Sequence, residues 1–271
     1  MPESSIPKRD ARSPFLEFDN VTIFHGEKKV LDSLSVTLRQ GENVAILGPN
    51  GAGQSTFIRT ITREFYPVLE GSPVTFRICG KDTWDVFHLR SAFGIVSNDL
   101  QYAFTREITG REVVLSGFFS SIGLFNQEVT LEMQRKAGEI ISFLEVGHIA
   151  DRPMTEMSSG ESRRFLIGRA MVHDPRVLIL DEPTNSLDLH ALHRFRQTIR
   201  KIAQSGTGII LVTHNLPDII PEVSRVILMK EGRFVKDGAK ADVLTDQHIG
   251  SLFDVPVQVR EEGGYYYATG Y

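Results

Sequence analysis

Apolar and polar residues alternate in segments 15–18, 21–24 and 34–38, a period of two that predicts half-buried strands, with Gly26 and Asp32-Ser33 at the turns. Residues 43–47 (NVAIL) form a short apolar run ahead of a glycine-rich stretch. A helix is expected from Thr56 to about Phe65, where Pro67 stops it, and residues 73–79 return to a strand pattern. From about Ser91 to Arg152 the rhythm changes. Met133, Ala137, Ile140, Ile141 and Leu144 recur at helical spacing, an apolar stripe that reads as core packing. This stretch is expected to be a mostly helical insertion. Helices over 161–172 and 189–203 then alternate with apolar strands at 177–180 (VLIL) and 208–212 (GIILV). Continuous apolar strands between helices imply a parallel sheet covered on both faces. Segments 225–229 and 233–236 suggest a hairpin across Lys230-Glu231-Gly232, and the chain beyond Gly250 reads as a short tail with Tyr265-Tyr266-Tyr267 near its end.

The expected fold is therefore α/β. A mixed, largely parallel sheet is flanked by helices, with an N-terminal antiparallel β part and an inserted helical lobe. Residues 1–14 read as a flexible lead-in, 15–250 as one domain with its lobe at about 91–160, and 251–271 as the tail.

Composition narrows the function classes. The 271 residues are 41% hydrophobic and 24% charged, enough for one large domain with little room for long disorder. A net charge of -4 argues against sequence-independent nucleic-acid binding, which depends on Lys and Arg neutralising phosphates. Cys79 is the only cysteine, so neither an intrachain disulfide nor a cysteine zinc site is possible, which fits a reducing compartment. The N-terminal segment lacks the apolar core of a signal peptide. The chain has no apolar run of about 18–20 residues, so any membrane role is expected to come through a partner.

The chemistry is concentrated after NVAIL. Gly48, Pro49, Asn50, Gly51, Ala52, Gly53, Gln54, Ser55 and Thr56 match the phosphate-binding loop G-x-x-x-x-G-K-[ST] except at the lysine, where Gln54 stands. Glycines let backbone N–H groups approach phosphate oxygens, and a helix starting near Ser55 points its positive end at them. Ser55 offers a hydroxyl for Mg²⁺ and Thr56 a further donor. Gln54 has similar reach and a donor NH₂ but no charge, so it should stabilise developing phosphoryl charge poorly.

Two further groups complete the pattern. The strand 177–180 runs into Asp181-Glu182, where one carboxylate can hold Mg²⁺ through its water shell and the other can polarise a water. His214 follows the second apolar strand, at the carboxyl edge where it can reach the same phosphates.

In this order and spacing the motifs resemble the ABC ATPase family, a P-loop NTPase family, over nearly the whole chain. Met157 to Arg164 (MSSGESRR) resembles the family's LSGGQ signature: Ser158 and Gly160 match, Ser159 replaces a glycine, and Glu161 stands where glutamine is usual. Residues 185–188 resemble the D-loop. His25 falls at the position that stacks on adenine, with Phe24 the competing residue. The Q-loop residue falls, by spacing from the strand AFGIV (92–96), at Asn98, with Gln101 three residues later. The resemblance implies an ATPase using ATP and Mg²⁺, with Glu182 and His214 catalytic and Ser55, Asp181 and Asn98 near the metal. It implies a head-to-tail dimer with itself or a homologous subunit, in which Ser158, Ser159, Gly160 and Glu161 contact nucleotide in trans. It also implies an integral membrane permease as partner, and a cytoplasmic place at the inner face of the membrane.

Residues 111–124 and 253–259 resemble importer ATPases for iron chelates, cobalamin or molybdate, and read equally as a lobe segment and an edge strand. The alternative is a soluble ABC ATPase acting on nucleic acid or ribosomes. Against it stand the acidic balance, the single cassette, and the lack of sustained heptads in the roughly 100 residues between P-loop and signature. A non-hydrolytic regulator is suggested by Gln54 alone. The intact Ser55, Asp181, Glu182 and His214 point instead to a deliberate lysine-to-glutamine exchange that weakens an otherwise complete site.

Overall fold

Alternation along the strands builds a sheet whose two faces pack against different layers. The architecture comes from a computed structural model that describes residues 13–68, 73–84, 89, 92–97, 104 and 107–270. The central sheet has six strands, in the order β5 (Phe93–Val96), β6 (Val177–Asp181), β7 (Gly208–Thr213), β3 (Asn43–Leu47), β8 (Arg225–Lys230) and β9 (Arg233–Ala239). All neighbours pair in parallel except β8 and β9. Successive side chains of a strand point to opposite faces. Val44, Ile46, Ile179, Ile210 and Val212 accordingly join one core cluster, while Ala45, Leu47, Leu178, Leu180 and Leu211 join the other.

The first cluster is closed by helix α1 (Gln54–Ile61) and a three-stranded antiparallel sheet of β1 (Pro14–His25), β2 (Lys28–Arg39) and β4 (Thr75–Ile78). Strands β1 and β2 are each continuous over 12 residues, taking the shorter segments of the sequence pattern into one ribbon with bulges. The second cluster is closed by α2 (Gly110–Ser116), α3 (Leu131–Phe143), α4 (Ser159–Met171) and α5 (Leu189–Gln204). In α3, Ala137, Ile140 and Ile141 are buried, with Leu144 at its C-cap also buried and Met133 packed at the margin.

Several boundaries differ from the sequence pattern. Helix α1 begins at Gln54 and ends at Ile61, two residues earlier than expected at its start and short of Phe65 at its end. Residues 93–96, expected in the helical lobe, form β5 and pair with β6, so the insertion begins after that strand. The segment taken as a tail is ordered secondary structure. After α6 (Lys240–Val243), helix α7 (Asp246–Phe253) runs through Gly250, and β10 (Gln258–Glu262) pairs with β11 (Tyr265–Thr269). Gly263 and Gly264 supply the positive φ angles of 59° and 83° that its two-residue turn requires. Among the described residues, no helix is long and apolar enough to cross a membrane.

Candidate functional site

Parallel strands deliver their following loops to one sheet edge, and there β3, β6 and β7 place the P-loop, Asp181-Glu182 and His214. The loop after β3 is tied into this edge by its backbone. Gly48 N donates to Thr213 O at 3.3 Å, and Gly232 N donates to Ala52 O at 2.8 Å. A Cβ on Gly48 would lie 2.3 Å from Met229 O, so only glycine fits where the loop crosses β8. Gly53 is the N-cap of α1 with φ 108° and makes no side-chain cap, and the first turn carries no acidic residue. The N–H groups of that turn therefore keep their positive end for an anion.

Gln54 is buried, 8% exposed, and turned inward. Its Nε2 donates to Ile46 O at 3.2 Å and to Thr213 O at 2.9 Å. Both amide protons thus go to carbonyls at the ends of β3 and β7, which the sequence alone did not indicate. Ser55 is exposed and Thr56 half-buried on the same turn.

Glu182 adopts φ 47°, in the left-handed region that a residue with a Cβ seldom enters. Its N–H donates to Val212 O at 2.9 Å, so the turn is braced from β7. Oε1 of Glu182 lies 2.7 Å from Nδ1 of His214. Burial pushes the Glu182 carboxyl above its ordinary range; the contact with His214 works against that, and the charge of Asp218 adds to it. Asp181 ends β6, level with Val212.

The signature residues occupy a different element. Ser158 caps α4 in a reciprocal capping box: its Oγ accepts from Glu161 N at 3.3 Å, and Glu161 Oε2 accepts from Ser158 N at 2.8 Å. Those bonds hold the Glu161 carboxyl below its usual range. A Cβ on Gly160 would come within 2.7 Å of Ala191 Cβ, so this glycine lets α4 and α5 meet. Ser159 Oγ donates to Ser186 O at 3.3 Å, and buried Arg163 donates to Pro183 O, linking the signature helix to the loop after Glu182. The signature turn opens on a cavity of about 360 Å³ where Arg164, Arg194, His148 and His190 gather around Ser158 and Glu161.

His25 ends β1, exposed, its ring 5.8 Å from that of Phe65, and Phe24 beside it is 41% exposed. Asn98 and Gln101 lie outside the described residues. The sequence pattern overlooked Asp218, Thr184 and Thr213, which join the loops bearing Glu182 and His214.

Comparisons with known proteins bear on the family and the fold. Residues 31–185 match the family described as ABC transporter. The chain is 32% identical to the ABC transporter ATP-binding protein YlmA of Bacillus subtilis (strain 168), over 90% of this chain and 92% of that protein. It is 29% identical to the hemin import ATP-binding protein HmuV of Aliivibrio fischeri (strain ATCC 700601 / ES114), over 87% and 88%. It is 34% identical to the Nod factor export ATP-binding protein I of Sinorhizobium fredii (strain NBRC 101917 / NGR234), over 87% of this chain and 65% of that protein. Among solved structures, an ATP-binding cassette of an ABC transporter in its ADP conformation superposes with a TM-score of 0.74 at 25% identity, over 89% of this chain and 98% of the other. A P-loop at the end of β3, an acidic pair at the end of β6, a histidine after β7 and a capped signature helix all lie within a chain of this likeness. The chain belongs to the ABC transporter ATP-binding protein family.

Proposed function

We propose that the chain binds ATP with Mg²⁺ at the P-loop and hydrolyses it slowly, driving a membrane permease through a head-to-tail dimer. The contact that supports this best is Glu182 Oε1 against His214 Nδ1 at 2.7 Å, beside the uncapped start of α1. In this reading the N–H groups of Gly51 to Thr56 cradle the phosphates, and Ser55 and Asp181 hold Mg²⁺, with Asn98 or Gln101 as a further ligand. The residues fit such an ion: one hydroxyl and one carboxylate suit Mg²⁺, which takes most of its ligands from phosphates and water. Bound there, the ion supplies charge neutralisation at the phosphate oxygens. Glu182 accepts a proton from the attacking water, its basicity raised by burial. His214 keeps that carboxylate oriented and reaches the γ-phosphate. His25 or Phe24 stacks on adenine. Ser158, Ser159, Gly160 and Glu161 meet the nucleotide of the other subunit.

Gln54 makes this a slow enzyme, because its amide is neutral and already bonded to Ile46 O and Thr213 O. ATP binding and turnover measured on this chain and on Gln54→Lys test the reading. Gln54→Lys should hydrolyse at least about tenfold faster, a difference of about 1.4 kcal/mol in barrier. Equal rates would overturn it.

For the cargo we propose import of a metal chelate or oxyanion, supported by the similarity to a hemin import protein. The similarity to a Nod factor export protein favours export as the second reading. Co-purification with an integral membrane protein supports either, and recovery with soluble partners alone overturns both in favour of a permease-free ATPase.

A further inference from the structure

The loops that carry Glu182 and His214 are joined by one buried carboxylate. Asp218 is 6% exposed and sits at the end of the short turn Leu216–Asp218. Its Oδ2 accepts from Thr184 Oγ1 at 2.7 Å and from Thr213 Oγ1 at 2.6 Å. Thr184 lies two residues beyond Glu182, and Thr213 immediately precedes His214. Thr213 Oγ1 in turn accepts from Asn215 N at 3.0 Å, which fixes the backbone on the far side of His214. Thr213 O receives Gln54 Nε2 and Gly48 N, so the same residue also fastens the P-loop.

The turn bearing Asp218 is itself anchored. Asp218 N donates to Asn215 O at 3.2 Å, and Arg196 donates to Pro217 O while its guanidinium lies 4.8 Å over the Tyr265 ring of β11. A buried carboxylate on two hydroxyls is a costly tie unless both bonds are kept, and keeping both sets the spacing of the two loops.

We propose that Asp218 is a positioning residue, which holds Glu182 and His214 in contact by accepting from Thr184 and Thr213 at once. The inference rests on the ATPase reading above for its kinetic consequence, but not for its geometry. Displacing either loop by a fraction of an ångström lengthens the 2.7 Å contact between Nδ1 and Oε1. Catalytic geometry tolerates little of that: an error of about 1 Å costs on the order of a hundredfold in rate.

Three variants separate the possibilities. Asp218→Asn retains an oxygen that accepts both hydroxyls, Asp218→Ala removes it, and Thr184→Val cuts one arm while keeping the side-chain volume. The readout independent of turnover is the imidazole nitrogen resonance of His214, assigned by its loss in His214→Gln. Both Asp218 variants lose the charge that acts on Glu182, so the resonance should move further in Asp218→Ala than in Asp218→Asn, and it should move in Thr184→Val, which keeps that charge. In whichever of the native chain or Gln54→Lys shows turnover, Asp218→Ala and Thr184→Val should lower kcat at least about tenfold with KM for ATP within about twofold, and Asp218→Asn should restore it. An unmoved His214 resonance in Asp218→Ala or Thr184→Val overturns the proposal, as does an Asp218→Asn that fails like alanine. Should Asp218→Ala not fold, Thr184→Val alone carries the test. If no form hydrolyses ATP while the resonance moves as stated, the ATPase reading falls and the positioning role stands.

Discussion

Glu182 is held where its charge is least comfortable, and that has consequences for pH. Burial raises its proton affinity, Asp218 adds to the effect, and His214 opposes it. In the unfolded chain it titrates as an ordinary glutamate, so the folded state binds the proton more tightly. Its favourable contribution is complete below the unfolded value and is lost as pH rises through the folded one. Glu182→Gln, which carries no charge at any pH, should therefore match the native chain in acid. It should become the more stable of the two as pH rises, in paired thermal melts. Turnover should behave oppositely: the base form of Glu182 disappears as pH falls, and the acid limb should lie above that of an ordinary glutamate. Melting curves that run parallel at all pH would remove the burial argument. The candidate site residues in contiguous motifs could be proposed from the sequence because backbone geometry and chemistry fall within a few positions, as from Gly48 to Thr56. Asp218 was not. Its partners are five and 34 residues away, and no local spacing predicts a carboxylate shared between two threonines.

At the scale of elements, the crossing of α4 and α5 decides where the signature turn sits. Gly160 faces Ala191 so closely that an added Cβ would stand 2.7 Å from that methyl group. The turn is otherwise rigid, because Ser158 and Glu161 close a capping box and Ser159 reaches Ser186. Gly160→Ala must therefore separate the two helices, at a cost of about 1–3 kcal/mol for an overpacked contact. Adding Ala191→Gly should recover most of that loss, since it removes the opposing methyl. Denaturant titrations of the four proteins in the cycle give the coupling directly, and additive effects would show that the clash is relieved elsewhere. The helix was expected from Glu161, two residues late, because the S-x-x-E spacing of Ser158 and Glu161 was read as a signature alone; the structure uses both carboxylate and hydroxyl in the cap. The C-terminal hairpin was equally readable from Gly263-Gly264 between segments of strand composition. It was missed because β10 is largely exposed and its burial does not alternate strongly. Strand β5 was readable as AFGIV, but the lobe's boundary was set ahead of it, because four residues give too short a pattern to outweigh the helical stretch that follows.

Across the whole molecule, the P-loop and the signature belong to different layers of one chain. The P-loop lies at the edge of the six-stranded sheet, and the signature starts α4, which packs into the second core cluster. Their link within the chain runs through the loop after Glu182, held by Arg163 at Pro183 and by Ser159 at Ser186. In the proposed head-to-tail dimer, a nucleotide would be contacted by one subunit's P-loop and the other's signature turn. The signature side contributes the negative Glu161 together with Arg164 and Arg194, which line the same cavity. Its carboxylate would oppose a γ-phosphate brought against the turn, while Arg164 and Arg194 of the same cavity would attract it, Arg194 being shared with Glu145. Mg²⁺-ATP should therefore convert monomer to dimer less readily in the native chain than in Glu161→Gln. The amide oxygen can still accept from Ser158 N, so the cap and the melting temperature should hardly change. Sedimentation at several ATP concentrations measures this, with ADP as the control. A Glu161→Gln chain that dimerises no more readily than the native one would place the carboxylate away from the phosphate. Dimerisation equal in ADP and ATP would remove the γ-phosphate from the interface altogether.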